Sequence, residues 1–173
     1  MMKKIIFLFA TSIILVACSS TPSTQYYQLP DSAFRLPEQN RAIQGVRLVL
    51  AEPLQSNSLL YQTDEYTLNF AQHNLWASPL KEALNNALCN KLNQLGQITY
   101  APANRTGTTH LTIYIDRFQG NYRGETEISG YAQWQNGQSK PFHVITEQHG
   151  DGYAAMLNSL NQGLNKVAQK IVY

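Results

Sequence analysis

Residues 111–147 read LTIYIDRFQGNYRGETEISGYAQWQNGQSKPFHVITE, and the alternation in this stretch decides the fold. Leu111, Ile113 and Ile115 alternate with Thr112, Tyr114 and Asp116. Ile128, Gly130, Ala132 and Trp134 alternate with Ser129, Tyr131 and Gln133, and Phe142, Val144 and Thr146 oppose His143, Ile145 and Glu147. A period of two places successive side chains on opposite faces of a strand. Gln135-Asn136-Gly137-Gln138 joins the last two runs, and Asn-Gly between alternating runs is the strongest short-range hairpin signal. Such clean alternation predicts a mostly antiparallel sheet with one face covered and the other at least partly wet.

Strand signals continue upstream. Ile43 to Leu50 is β-rich, with Val46, Leu48 and Leu50 on one side, and Glu52-Pro53 to Asn57 breaks it. Leu59–Gln62 and Tyr66–Ala71 read as a hairpin around Thr63-Asp64-Glu65, with Tyr66, Leu68 and Phe70 facing inward. Asp31 to Arg41, with Pro37 and no periodicity, reads as a loop.

Two amphipathic helices are expected to cover the sheet. The first starts with Ser78 as N-cap and Pro79 at the first helical position. Its apolar stripe is Leu80, Leu84, Ala87, Leu88, Leu92 and Leu95, and Gly96 ends it. Lys91 falls inside the stripe and is expected to carry its ammonium out to water along its aliphatic stem. The second follows Asp151-Gly152, with Tyr153, Met156, Leu157, Leu160, Leu164, Val167, Ala168 and Ile171 on its apolar side. The result is an α+β sandwich spanning residues 25–173.

The N-terminus carries an address. Lys3 and Lys4 precede the apolar run Ile5 to Val16, which closes with Leu15-Val16-Ala17-Cys18. This is a secretory signal with a lipoprotein cleavage site, and it is too short to span a bilayer, which takes ~20 apolar residues. Residues 1–17 are expected to be removed between Ala17 and Cys18, leaving Cys18 with an S-diacylglycerol and an N-acyl chain. Residues 18–24 then form a short lipidated tether, with a reach of roughly 20 Å for its six residues after the cysteine. Ser19, in place of an aspartate, points to the periplasmic face of the outer membrane.

Removing the signal takes two lysines from the 13 basic residues and leaves them balanced against 11 acidic ones. Nothing resembles the basic stripe of a nucleic-acid binder. After lipidation Cys89 is the one remaining cysteine, so packing alone must hold the domain, and Cys89 is expected to be structural.

No G-x-S-x-G, H-E-x-x-H, Walker loop or G-x-G-x-x-G occurs. His143, Glu147 and His149 share a strand face. However, His143 and Glu147 stand ~13 Å apart, too far to share one metal, so no metal, cofactor or catalytic residue is expected. Glu125 and Glu127 read as a polar loop-to-strand junction. Tyr114 and Tyr131 oppose the apolar faces of their strands and, with Tyr122 in the loop Gly120 to Glu127, are candidates for a partner-facing surface.

The lipobox and short tether before Tyr26-Tyr27-x-Leu29 resemble the ABC-type transport auxiliary lipoproteins, the PqiC-like family. So do Asn74-Leu75-Trp76-Ala77-Ser78-Pro79-Leu80, the strand Leu111 to Phe118, the strand ending at Trp134, and Asp151-Gly152-Tyr153. The resemblance implies a non-enzymatic, outer-membrane-anchored component of an intermembrane lipid transport system. It further implies a periplasm-spanning MCE-domain protein as partner and a tendency to form a homo-oligomeric ring. It makes Trp76 a packing pivot where strand meets helix. Two rival readings stand beside it. One is an assembly or chaperone lipoprotein for an outer-membrane β-barrel, as in lipopolysaccharide export; the other is a hydrolase with an unrecognised site.

Overall fold

The computed structural model describes residues 22–38, 41–96 and 98–173; Ala17, Cys18 and the start of the tether lie outside them. Eight strands follow one another as β1 (Gln25–Tyr27), β2 (Ile43–Leu50), β3 (Ser58–Gln62), β4 (Leu68–Trp76), β5 (Thr99–Pro102), β6 (Leu111–Gly120), β7 (Glu125–Trp134) and β8 (Ser139–Glu147). Between and after them come α1 (Leu80–Leu95), the single turn α2 (Ala103–Thr106) and α3 (Gly152–Val172), with a 3-10 turn at Glu52–Gln55. None of the described helices is long and apolar enough to cross a membrane.

The alternating stretch folds as its pattern requires. β6, β7 and β8 pair antiparallel in succession, and Leu111, Ile113, Ile115, Ile128, Ala132, Phe142 and Val144 all point into the core. The expectation of a mostly antiparallel sheet is nevertheless overturned. Four of the seven pairings are parallel: β1 with β4, β2 with β5, β2 with β6, and β3 with β6. Alternation reports which face a residue takes, not the direction of its neighbour. β1, β2 and β5 find neighbours remote in sequence, where no hairpin turn dictates direction.

β6 organises the sheet. β7 pairs along its whole length, so β2, beside residues 111–115, and β3, beside Gly120, must share its other edge. The strand bulges at Asp116, between these two neighbours, and the bulge returns Phe118 to the core.

Both long helices pack on one face, as expected, and every residue of the α3 stripe is buried except half-buried Tyr153. Three local expectations need correction. Ser78 does not cap α1. Pro79 takes the cap position and its carbonyl accepts the Ala83 N–H at 3.2 Å, because a residue before proline is pushed out of the helical region.

Lys91 does not reach water either. It is 3% exposed and pairs with Asp31 Oδ2 at 3.3 Å. The loop 29–35 covers it, held by the Asn90 side chain, which donates to the Asp31 and Ala33 carbonyls and accepts from the Arg35 N–H. Finally, Tyr66 and Phe70 face outward and Leu68 is half-buried. Tyr66 belongs to the turn, where Asp64 Oδ1 accepts the Tyr66 and Thr67 N–H groups at 2.8 Å, so Ala71 and Trp76 are the buried residues of β4.

Candidate functional site

The two long helices leave the opposite face of the sheet uncovered around β6 to β8, and register arranges its side chains in rows. Val49, Tyr114, Tyr131 and Pro141 lie opposite one another across β2, β6, β7 and β8. Tyr114 and Tyr131 stack with ring centroids 4.4 Å apart and planes at 14°. Both stay half-buried while Pro141 is exposed, so the row offers an apolar strip with two hydroxyl ends.

One polar knot sits beside it. Arg117 Nη1 donates to both oxygens of Glu127, at 3.0 and 3.1 Å, and His143 Nε2 lies 3.0 Å from Glu127 Oε1. Glu127 therefore stands within β7 and not in a loop junction, and a basic partner on either side satisfies its buried carboxylate. This pairing engages His143 with a neighbouring strand and not with Glu147 or His149. Among the described residues no three metal-ligating side chains gather.

Tyr122 is not part of the tyrosine row. It sits on the four-residue turn between β6 and β7, where the Arg123 guanidinium lies 5.3 Å from its ring centroid and donates to its hydroxyl. That hydrogen bond holds the guanidinium pKa above its ordinary value. The turn and the β3–β4 turn project from the same end of the sheet, since Tyr61 stands beside Gly120.

Trp76 closes β4 under a tilted Phe118, 6.2 Å between centroids, one strand end before α1. Cys89 is buried and burial pushes its thiol up to about 12, so it stays protonated at neutral pH and is not an activated nucleophile.

Two arrangements were not legible in the sequence. Tyr153 on α3 packs between Tyr27 and Tyr61, at 5.8 and 6.1 Å. Ser159, inside the apolar stripe of α3, hydrogen-bonds Thr126 Oγ1 at 2.8 Å and donates to the Thr146 or Glu147 carbonyl at 3.0 Å. A serine at a core-facing helical position was the available signal. Both groups lock α3 to the sheet.

Comparison with known proteins agrees with this architecture. Residues 27–172 match the family of the ABC-type transport auxiliary lipoprotein component, and the chain belongs to that family. It is 33% identical to the intermembrane transport lipoprotein PqiC of Escherichia coli (strain K12) and equally to that of Shigella flexneri, across 98% of either chain. A crystal structure of an uncharacterized protein superposes with a TM-score of 0.72 at 31% identity, covering 87% of this chain and 97% of that one. A Xanthomonas campestris protein shares the fold at a TM-score of 0.60 and 17% identity, covering 86% of this chain and 92% of that one.

Proposed function

We propose that this member of the transport auxiliary lipoprotein family is a lipid-anchored docking module of an intermembrane lipid transport system. Cys18 carries the acyl chains and holds the domain at the periplasmic face of the outer membrane. A periplasm-spanning MCE-domain protein docks on it, and copies gather as a ring around the docked end. The observation that carries this reading is the full-length likeness to intermembrane transport lipoproteins, from the first strand to the last helix.

The local chemistry supports a dock over a catalyst. A stacked tyrosine pair on an uncovered sheet offers rigid, amphipathic contact area. The polar groups beside it, Arg117, Glu127 and His143, hydrogen-bond one another. Three acyl chains exceed the two signals that stable membrane attachment needs, so a partner must come to the anchored domain.

The test is affinity capture of the full-length lipoprotein from envelope membranes. An MCE-domain protein is expected among the retained proteins, together with outer-membrane fractionation that is lost in Cys18→Ser. Retention of a β-barrel in its place, or fractionation indifferent to Cys18→Ser, would overturn the reading.

A further inference from the structure

The tyrosine row does not stop at the sheet. Its last member, Pro141 on the edge strand β8, also lines a cleft between the start of β8 and the end of α3, together with Lys140, Lys166, Gln169, Lys170 and Tyr173. Lys166, Gln169, Lys170 and Tyr173 follow the i, i+3, i+4, i+7 spacing of one helix face. All four are exposed, Tyr173 by 80%. No side-chain carboxylate lines the cleft, and the ion pairs among the described residues all lie elsewhere.

Like charges four residues apart on a helix repel, and Lys140 brings a third ammonium from the neighbouring strand. The C-terminal dipole of α3 favours Lys170 but gives no reason for Lys140. An anion bound in the cleft would relieve all three.

Three geometric facts identify the source of that anion. β1 is parallel to β4, which begins at the β3–β4 turn. The chain before Gln25 therefore leaves towards the end of the sheet that carries that turn and the β6–β7 turn. Lys140 pairs with Ala132, which pairs with Ile113, seven residues from Gly120, or roughly 23 Å of strand. The lysines thus sit at the end away from the tether, turned from the chain's own membrane.

The tether end is acidic, with Asp64, Glu65, Glu125, Glu147 and Asp151 against Arg123. An acidic segment of a partner approaching from the periplasm meets the lysine end of the sheet first.

We infer that this cleft receives an acidic segment of the docked protein partner, whose apolar side chains pack on Pro141 and Tyr173 while its carboxylates meet Lys140, Lys166 and Lys170. The inference rests on the docking reading above and extends its surface from the tyrosine row around the β8 edge.

The experiment uses the full lipidated chain in phosphatidylethanolamine nanodiscs and the purified MCE-domain protein. Wild-type binding should weaken steadily as sodium chloride is raised. The combined variant K140E/K166E/K170E should bind about tenfold more weakly or worse, while K140R/K166R/K170R keeps wild-type affinity. A photo-crosslinking amino acid at position 169 should join to an acidic stretch of the partner.

Failure of the wild type to bind removes the docking reading and this inference together. Wild-type binding that neither salt nor charge reversal alters removes only the inference, as does a crosslink from position 169 to lipid or to a second copy.

Discussion

The two faces of this sheet are built from the same strands, yet they do opposite jobs. On the helix-covered face, a buried polar group ties helix to sheet: the Ser159 hydroxyl bridges Thr126 and the β8 carbonyls. Gly163 lets α3 approach so closely that a methyl there would stand 2.9 Å from Ile128 Cδ1. On the uncovered face, side chains touch only across the strands, through the Tyr114–Tyr131 stack and the Arg117–Glu127–His143 knot. Substitutions on the covered face should therefore cost folding free energy, because close-packed cores relax poorly. Substitutions on the uncovered face should cost binding with little loss of stability. A β-sheet becomes a docking platform when one face carries nearly all of the folding burden.

Four substitutions or conditions test that division, from the largest expected effect down. Gly130→Ala should be the most damaging. Its φ of 156° is glycine-favouring, and a Cβ would overlap the Tyr114 carbonyl oxygen at the centre of β6. A loss of about 3 kcal/mol or more in urea unfolding is expected, and a loss under 1 kcal/mol would show that β6 and β7 separate easily.

Alkaline pH comes next. The unfolded Cys89 thiol ionises near 8.5, while the folded one holds its proton up to about 12. Above pH 8.5 the unfolded state binds fewer protons, so stability must fall as pH rises. The Cys89 contribution reaches roughly 2 kcal/mol by pH 10, seen as the difference between wild type and Cys89→Ala. Parallel pH curves for the two proteins would mean that water reaches the thiol.

Ser159→Ala removes the hydroxyl that Thr126 uses, and should lower stability by about 1.5 kcal/mol without changing partner affinity. An affinity change would blur the division between faces. Smallest in stability is the tyrosine pair. A double-mutant cycle of Tyr114→Ala and Tyr131→Ala should give a coupling of about 1 kcal/mol or less, while capture of the transport partner falls sharply. Unchanged capture would move the dock off this face.

The alternation of β6 to β8 and the stripes of α1 and α3 were legible because burial on one side imposes a period on the sequence. The tyrosines of the row were legible for the same reason: Tyr114 and Tyr131 had to oppose Ile113 and Ala132. Their stacking was not, since it depends on the register between β6 and β7. Tyr66 misled, because a turn of five residues borrowed the look of a strand start. Lys91 misled because its counter-ion, Asp31, is 60 residues away in the chain. The basic cleft was half visible, as Lys166 and Lys170 share a helix face, but Lys140 joins them only once β8 lies beside α3.

By itself the sequence determined β2, β6, β7, β8, α1 and α3 with the side of each that is buried, and the lipobox that predicts where the chain is held. These are local matters, set by side-chain period, capping chemistry and the length of an apolar run. The tertiary structure decided strand direction, the sharing of one edge of β6 by β2 and β3, and the meeting of Lys140 with Lys166 and Lys170 at the β8 edge. Those depend on which remote segments pair, and a pairing energy summed over distant contacts leaves no periodic mark on either partner alone.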